Sequence, residues 1–327
     1  MRAVPPRVAA VSIDLDEVPC YASIHALDVP PDAAHAVYDR ALPRLEALLA
    51  EEGVEATLFA IGRDLDRADN VEALRRLHAA GHELGNHSER HLYDLTRRDL
   101  GVMRDEVRAC ADRIEAACGE RPRGFRAPGY TVNDALVGVL EALGVGYDSS
   151  VFGCPPYYAA KALALAAMRA RGRRSRSVLD TPAVLRAPAD PYRLGRPYHR
   201  RGNGLLELPI GVTSAATGRL PYIGTALTLA GPRGARWLTR AIAGRPLVNL
   251  ELHGIDLADA DLDGLRWLRP HQPDLRRAAA DKIAALRAAL HALRAHGYRF
   301  MRLGDYARAL DADAGGRVGS VAAHARR

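Results

Sequence analysis

RVAAVSIDLDEV (residues 7–18) alternates: Val11, Ile13 and Leu15 fall on one side of an extended chain, and Ser12, Asp14 and Asp16 on the other. Side chains of a strand project to opposite faces with a period of two, so the two aspartates leave the end of this strand together. Close carboxylates repel each other. Burying them side by side is tolerable only where a cation or an arginine neutralises part of the charge. A solvated acidic turn is the plain alternative, and the rest of the chain decides between the two.

Working outward, strand-like apolar runs recur at 55–61, 83–86, 124–127, 145–150, 205–210, 247–253 and 298–303. Helical stretches at 35–53, 70–81 and 97–119 separate the first four strands, and Gly53, Gly81 and Gly119 follow their last periodic positions as helix stops. Strand–helix alternation of this length implies parallel strands joined by crossover helices, in an open sheet or a barrel. No repeat or linker divides the chain, so one domain is expected over 1–311. The Arg-, Pro- and Gly-rich segment 154–204 reads as an insertion over one face, and 312–327 as a flexible C-terminal tail.

Two histidine pairs have i,i+4 spacing, His78 with His82 and His87 with His91. With twelve histidines in the chain, spacing alone does not choose between them. Position does. His78 lies late in a helix and His82 at the entrance to a strand, whereas GNHSERHLYDL (85–95) places His87 and His91 after that strand's C-terminal end. In parallel barrels the site lies at the C-terminal ends of the strands, where Asp14 and Asp16 also emerge. His87 and His91 on one helical turn, with a carboxylate from the first strand, make a three-ligand metal set with open positions.

Two further strand ends point to the same mouth. GFRAPGY (124–130) delivers Arg126 and then a Pro-Gly turn, where Gly129 lets backbone approach a ligand. In LVNLELHG (247–254), His253 leaves its strand on the face shared by Asn249 and Glu251. Taken alone, Arg126 is an ordinary ion-pair residue and His253 a strand-end histidine. Together they supply a charge partner and an acid. The roles of Asp148 and Glu251 stay open at this level.

Through SIDLDE, HELGNHSERH, FRAPG, YDSS and LELHG, the chain resembles the polysaccharide deacetylases of the NodB-homology type, carbohydrate esterase family 4, over roughly residues 7–310. The resemblance implies a distorted parallel (β/α) barrel. It implies Asp14 as catalytic base, with Asp16, His87 and His91 holding one divalent ion, Zn²⁺ by expectation, or Co²⁺, Mn²⁺ or Ni²⁺. Arg126 would hold the base, the Gly129 amide would help bind the oxyanion, and His253 would be the acid. The first motif is Asp-Leu-Asp instead of the commoner Asp-Asp-Gly, and Gly129 stands where many relatives have tyrosine. Both departures loosen the link to a polymeric substrate.

The implied reaction is metal-assisted hydrolysis removing an N-acyl group, acetyl or formyl, from an amino sugar. The N-terminus shows no apolar run of signal-peptide length, and no segment approaches the roughly 18 apolar residues of a membrane span, so a cytoplasmic protein is expected. Cys20, Cys110, Cys118 and Cys154 form no CxxC pair and read as free thiols. The net charge of +7 is carried by arginine, Lys161 and Lys282 being the only lysines, and no nucleic-acid partner is expected from it. AAKALALAAMRARGRRSR (159–176) joins an apolar helical stretch to clustered arginines, a pattern suited to an anionic membrane surface. With LPYIGTALTLAG (220–231), it directs the expectation to a lipid-linked amino sugar at the inner leaflet. A small soluble amide or cyclic imide is the alternative substrate, and a catalytically silent carbohydrate-binding barrel the alternative class.

Overall fold

The computed structural model describes residues 7–324. Its strands are β1 (Val8–Asp14), β2 (Thr57–Ala60), β3 (Glu83–Asn86), β4 (Gly124–Phe125), β5 (Tyr147–Asp148), β6 (Tyr192–Leu194), β7 (Arg201–Glu207), β8 (Leu247–His253) and β9 (Arg299–Phe300). They form one sheet in the order β6-β7-β5-β4-β3-β2-β1-β8, with β9 beside the start of β1. Every pairing is parallel except β6–β7. Each run read as a strand holds one, except that β7 begins four residues ahead of the run at 205–210 and ends at Glu207. β6 escapes the sequence reading because three residues inside an Arg- and Pro-rich segment carry no alternation to detect.

The sheet curls until its far end approaches β8. The Gly211 amide donates to the Asn249 carbonyl at 2.8 Å, and the Asn249 side-chain amide donates to the Leu208 carbonyl at 3.2 Å. These bonds occupy part of the edge β8 would otherwise expose. The result is a distorted, incompletely closed barrel.

Helices α1 (Val18–Ile24), α2 (Leu42–Glu51), α3 (Ala68–Ala79), α4 (Leu100–Cys118), α5 (Asp134–Ala142), α6 (Pro155–Ala170), α7 (Gly224–Ile242), α8 (Ala279–Ala295) and α9 (Leu303–His324) fill the connections. In α4, the Asp99 side chain accepts from the Val102 amide at one end. Gly119 closes the other at φ +78°, a conformation that costs glycine nothing. Leu45, Leu49, Leu74, Leu286 and Leu290 pack against Val11 and Ile13 on the outer face of the sheet. α9 continues as helix past residue 312, where the sequence reading begins a tail; 325–327 lie outside the described residues.

The interior is layered along β1. Val8 and Ala10 join Phe59, Tyr147 and Leu206 in an apolar plug at the bottom. Two residues on, Ser12 enters a polar layer with Arg126, Ser149 and Asn249. Asp14 stands above it, so the period of two that separates core from site also orders the barrel from plug to mouth.

Within 154–204, α6 buries only Tyr158, and Leu163 is 72% exposed. No helix among the described residues is long and apolar enough to cross a membrane. The four cysteines are free, and Cys110 and Cys118 share α4.

Candidate metal and active site

Asp16 follows β1, and His87 and His91 follow β3; the structure brings all three together. Asp16 Oδ1 lies 3.2 Å from His87 Nε2 and 3.3 Å from His91 Nε2, and the two ring nitrogens are 3.2 Å apart. Donors held about 2.0–2.1 Å from a zinc ion in a tetrahedron would be about 3.3 Å from one another, so the triangle has the edge length of such a site.

Its chemistry fits as well. Asp16 Oδ1 is buried without a hydrogen-bond partner. His87 Nδ1 lies 2.8 Å from the Arg126 carbonyl, which can only accept, so the proton sits on Nδ1 and the Nε2 lone pair faces the triangle. Two nitrogens 3.2 Å apart share at most one proton, and burial pushes His91 down to about 4. A buried carboxylate and two converging lone pairs are a cation's donor set.

The two histidines are not on a helical turn, contrary to the sequence reading. Residues 87–94 form a loop in which Ser88 and His91 take φ of +65° and +53°. Asn86 Oδ1 accepts the Ser88 amide, Ser88 Oγ accepts the His91 amide, and the Glu89 amide donates to the Glu106 carbonyl of α4. Local side-chain acceptors satisfy the backbone that a helix would otherwise pair. His82 takes up the bland role: its Nδ1 accepts the Ala56 amide at 3.0 Å, away from the mouth.

Arg126 is fully buried and points four bonds inward, each of 2.8 Å. Nη1 donates to Asp14 Oδ1, Nη2 to Ser12 Oγ and Ser149 Oγ, and Nε to the Ser149 carbonyl. Asp14 is thereby held beside the triangle, its other oxygen 3.7 Å from His87 Nε2. Opposite stands His253. In the β1–β8 ladder Asp14 pairs directly with His253, and donor atoms of Asp14, Glu251 and His253 lie within 4.8 Å of one another. Glu251 Oε1 is 3.0 Å from His253 Nδ1. Burial by itself would lower the His253 pKa, but Glu251, Asp14 and Asp16 outweigh it and hold the imidazole well above its usual range.

Gly129 and Tyr130 both take left-handed backbone, φ +62° and +61°. A side chain on Gly129 would begin 3.0 Å from the Tyr93 ring, so the glycine is required by conformation and by space. The pocket over the triangle, about 160 Å³, is lined further by Tyr130, Tyr157, Lys161 and Ile223.

Several of these residues escape the sequence reading. Tyr130 lies in the quoted GFRAPGY, and its hydroxyl is 3.2 Å from His253 Nε2. Lys161 reaches over from α6, donates to the Gly129 carbonyl at 3.3 Å, and is pushed down to about 8 by burial. Cys20 Sγ lies within 4.8 Å of donor atoms of Asp16 and His91. For Glu251, alternation with His253 is a signal; Lys161 offers none, because its place depends on how the insertion folds back. The YDSS motif is also accounted for locally. Ser149 receives Arg126, and Ser150 Oγ accepts the Ala127 amide while donating to Asp148 Oδ1.

Residues 30–147 match the family model of the polysaccharide deacetylases. Over 102 residues the chain is 38% identical to a chitooligosaccharide deacetylase of Bradyrhizobium sp. (strain ANU 289), covering 31% of this chain and 45% of that protein. It is 30% identical over 102 residues to a peptidoglycan-N-acetylglucosamine deacetylase of Bacillus cereus, covering 31% and 46%. The chain thus spans less than half the length of these curated relatives. A crystal structure from Mycobacterium smegmatis, assigned to the polysaccharide deacetylases, aligns with a TM-score of 0.57 at 20% identity over 96% of this chain and 93% of that one.

Proposed function

We propose, from the match of residues 30–147 to the polysaccharide deacetylase family model and the similarity to curated deacetylases, that the chain is a metal-dependent hydrolase removing an acetyl or formyl group from the nitrogen of an amino sugar. One observation carries the reading: the Asp16–His87–His91 triangle has an arginine-held carboxylate, Asp14, on one side and a glutamate-backed histidine, His253, facing it. A divalent cation held there would supply Lewis-acid polarisation of the acyl oxygen and easier deprotonation of water.

The chain's own residues do the rest. Asp14 takes the proton of the attacking water, held in place by Arg126. The Gly129 amide donates to the oxygen that becomes negative as water adds to the acyl carbon. His253, kept protonated by Glu251, gives its proton to the departing amine.

We read the substrate as a lipid-linked amino sugar met at a membrane surface. α6 supports this by leaving Leu163 exposed near Arg169, Arg171 and Arg174, an apolar face beside cationic side chains. Arg173 departs from the expectation of a free basic cluster, since its guanidinium bonds the His25 carbonyl and ties the insertion to the end of α1. The test is hydrolysis by the metal-loaded protein of a panel of N-acetylated lipid-linked sugar, chitooligosaccharide and a cyclic imide, followed as amine release for the sugars and as ring opening to the half-amide acid for the imide. Amine release from the sugars, highest with the lipid-linked one, supports the reading; turnover of the imide alone overturns it.

A further inference from the structure

Beyond Tyr93, on the far side from the catalytic pair, a second and larger cavity of about 770 Å³ opens against His91 and Cys20. Its walls carry Arg63, Arg90, Arg97, Arg98 and Arg176, with Asp94 the one carboxylate among them. Arg98 is paired with Asp94 at 2.8 Å, and Arg90 with Glu106 at 2.5 Å. The other three are poorly compensated. Arg63 has its nearest carboxylate, Asp64, at 3.7 Å, and Arg97 and Arg176 have no carboxylate partner among the described residues.

These three come from separate places, the turn after β2, the turn after β3 and the loop after α6. All three are exposed, and all three line the concavity that adjoins His91, one corner of the triangle; an anion seated there would accept charge-assisted bonds from more than one of them.

The cavity does not end there. From Arg97 a narrower, mainly apolar groove of about 180 Å³ runs along α6, lined by Ala162, Leu165, Ala166, Val178 and Leu179, with Arg169 and Ser177 at its polar positions. Acyl chemistry, an arginine-walled cavity and an apolar groove therefore follow one another over the surface. Tyr93 forms a common wall of the first two, and Arg97 of the last two.

We propose that the arginine-walled cavity binds a phosphate or diphosphate carried by the amino sugar, and that the groove along α6 receives the first carbons of the apolar chain attached to it. This rests on the deacetylase reading and names its substrate class. A nucleoside diphosphate sugar shares the phosphoryl chemistry but brings a polar nucleoside to an apolar groove.

Two measurements test it, one independent of turnover. In the first, calorimetry on metal-free protein compares geranyl diphosphate with inorganic pyrophosphate. The expected result is tighter binding of geranyl diphosphate by about tenfold or more, from burial of several methylene groups. R97S/R176S should lose about 10- to 100-fold for both ligands, as expected for removing charge-assisted bonds. Undiminished binding by that variant overturns the cavity assignment, and equal binding of the two ligands overturns the groove.

In the second, kcat/KM is compared for N-acetylglucosamine linked through diphosphate to a short isoprenoid, linked to a nucleoside, or free. A preference for the isoprenoid form that shrinks in R97S/R176S supports the proposal. A preference for the nucleoside form, or none, overturns it. Silence of all three sugars with diphosphate binding intact places the failure in the deacetylase reading instead.

Discussion

Asp14→Asn separates two aspartates that stand two residues apart and have been given different work. The triangle is formed by Asp16 with the two histidines, while Asp14 is 3.7 Å from His87 Nε2 and is engaged by Arg126 at 2.8 Å. In Asp14→Asn the amide oxygen can still accept from Nη1, and Arg126 keeps its bonds to Ser12 and Ser149. The stability loss should therefore be about 1–2 kcal/mol, the difference between a charged and a neutral acceptor. The proton acceptor, however, is gone. General-base catalysis is worth about 10²- to 10⁴-fold, roughly 3–5 kcal/mol of barrier, and kcat should fall by that amount. Asp16→Asn removes the charged corner of the triangle, so metal affinity should drop by more than the roughly 10–100-fold that loss of an outer-shell partner costs. Metal per chain by mass spectrometry, amine release from N-acetylchitotetraose and thermal melting would be measured on both variants. Equal loss of metal by both, or a metal-loaded Asp14→Asn protein with near-normal kcat, refutes the division of roles.

Glu251→Gln should leave metal content unchanged and move the alkaline limb of the kcat–pH profile to lower pH. His253 acts protonated and loses its proton sooner once the largest charge raising its pKa is removed; an unmoved limb would exclude His253 as the acid. Arg126→Met strands a buried carboxylate and should cost about 3–5 kcal/mol in chemical denaturation, against a smaller loss for Arg126→Lys, which keeps a charge near Asp14. Gly129→Ala puts a methyl group 3.0 Å from the Tyr93 ring at φ +62°, and should cost about 1–2 kcal/mol from backbone strain while lowering kcat. Flotation with anionic liposomes should fall with added salt and with replacement of Leu163, Arg171 and Arg174 by serine, because attraction of about 1 kcal/mol per arginine is screened.

Much of the site was legible because it is assembled from strand ends. A period of two in 7–16 places Asp14 and Asp16 on one face, and the same period in 247–253 places Glu251 below His253. What alternation could not supply was contact between elements. That Asp14 faces His253 is a matter of ladder register, and that Arg126 reaches Ser12 and Ser149 depends on the curl of the sheet. The i,i+4 spacing of His87 and His91 suits a helix, but the side chains of Asn86 and Ser88 accept the backbone amides of Ser88 and His91 and hold the segment as a loop. Lys161 and the arginine-walled cavity were out of reach, since Lys161 depends on how α6 folds back over the mouth, and the cavity on how the loop carrying Arg176 meets the turns after β2 and β3.

The β1–β8 ladder has a consequence for when the proposed site becomes complete. The proposed metal donors lie at residues 16, 87 and 91, just after β1 and β3, which flank β2 in the sheet, whereas the proposed acid comes only with β8, some 160 residues later in synthesis. On the proposed roles, a nascent chain would therefore complete its ion site well before it could hydrolyse anything. Docking β8 one residue out of step would turn His253 and Glu251 away from Asp14 and bring Leu252 inward. On the proposed roles, hydrolysis would report that the last long strand has found its place, and a misthreaded barrel would be inert even when loaded with metal.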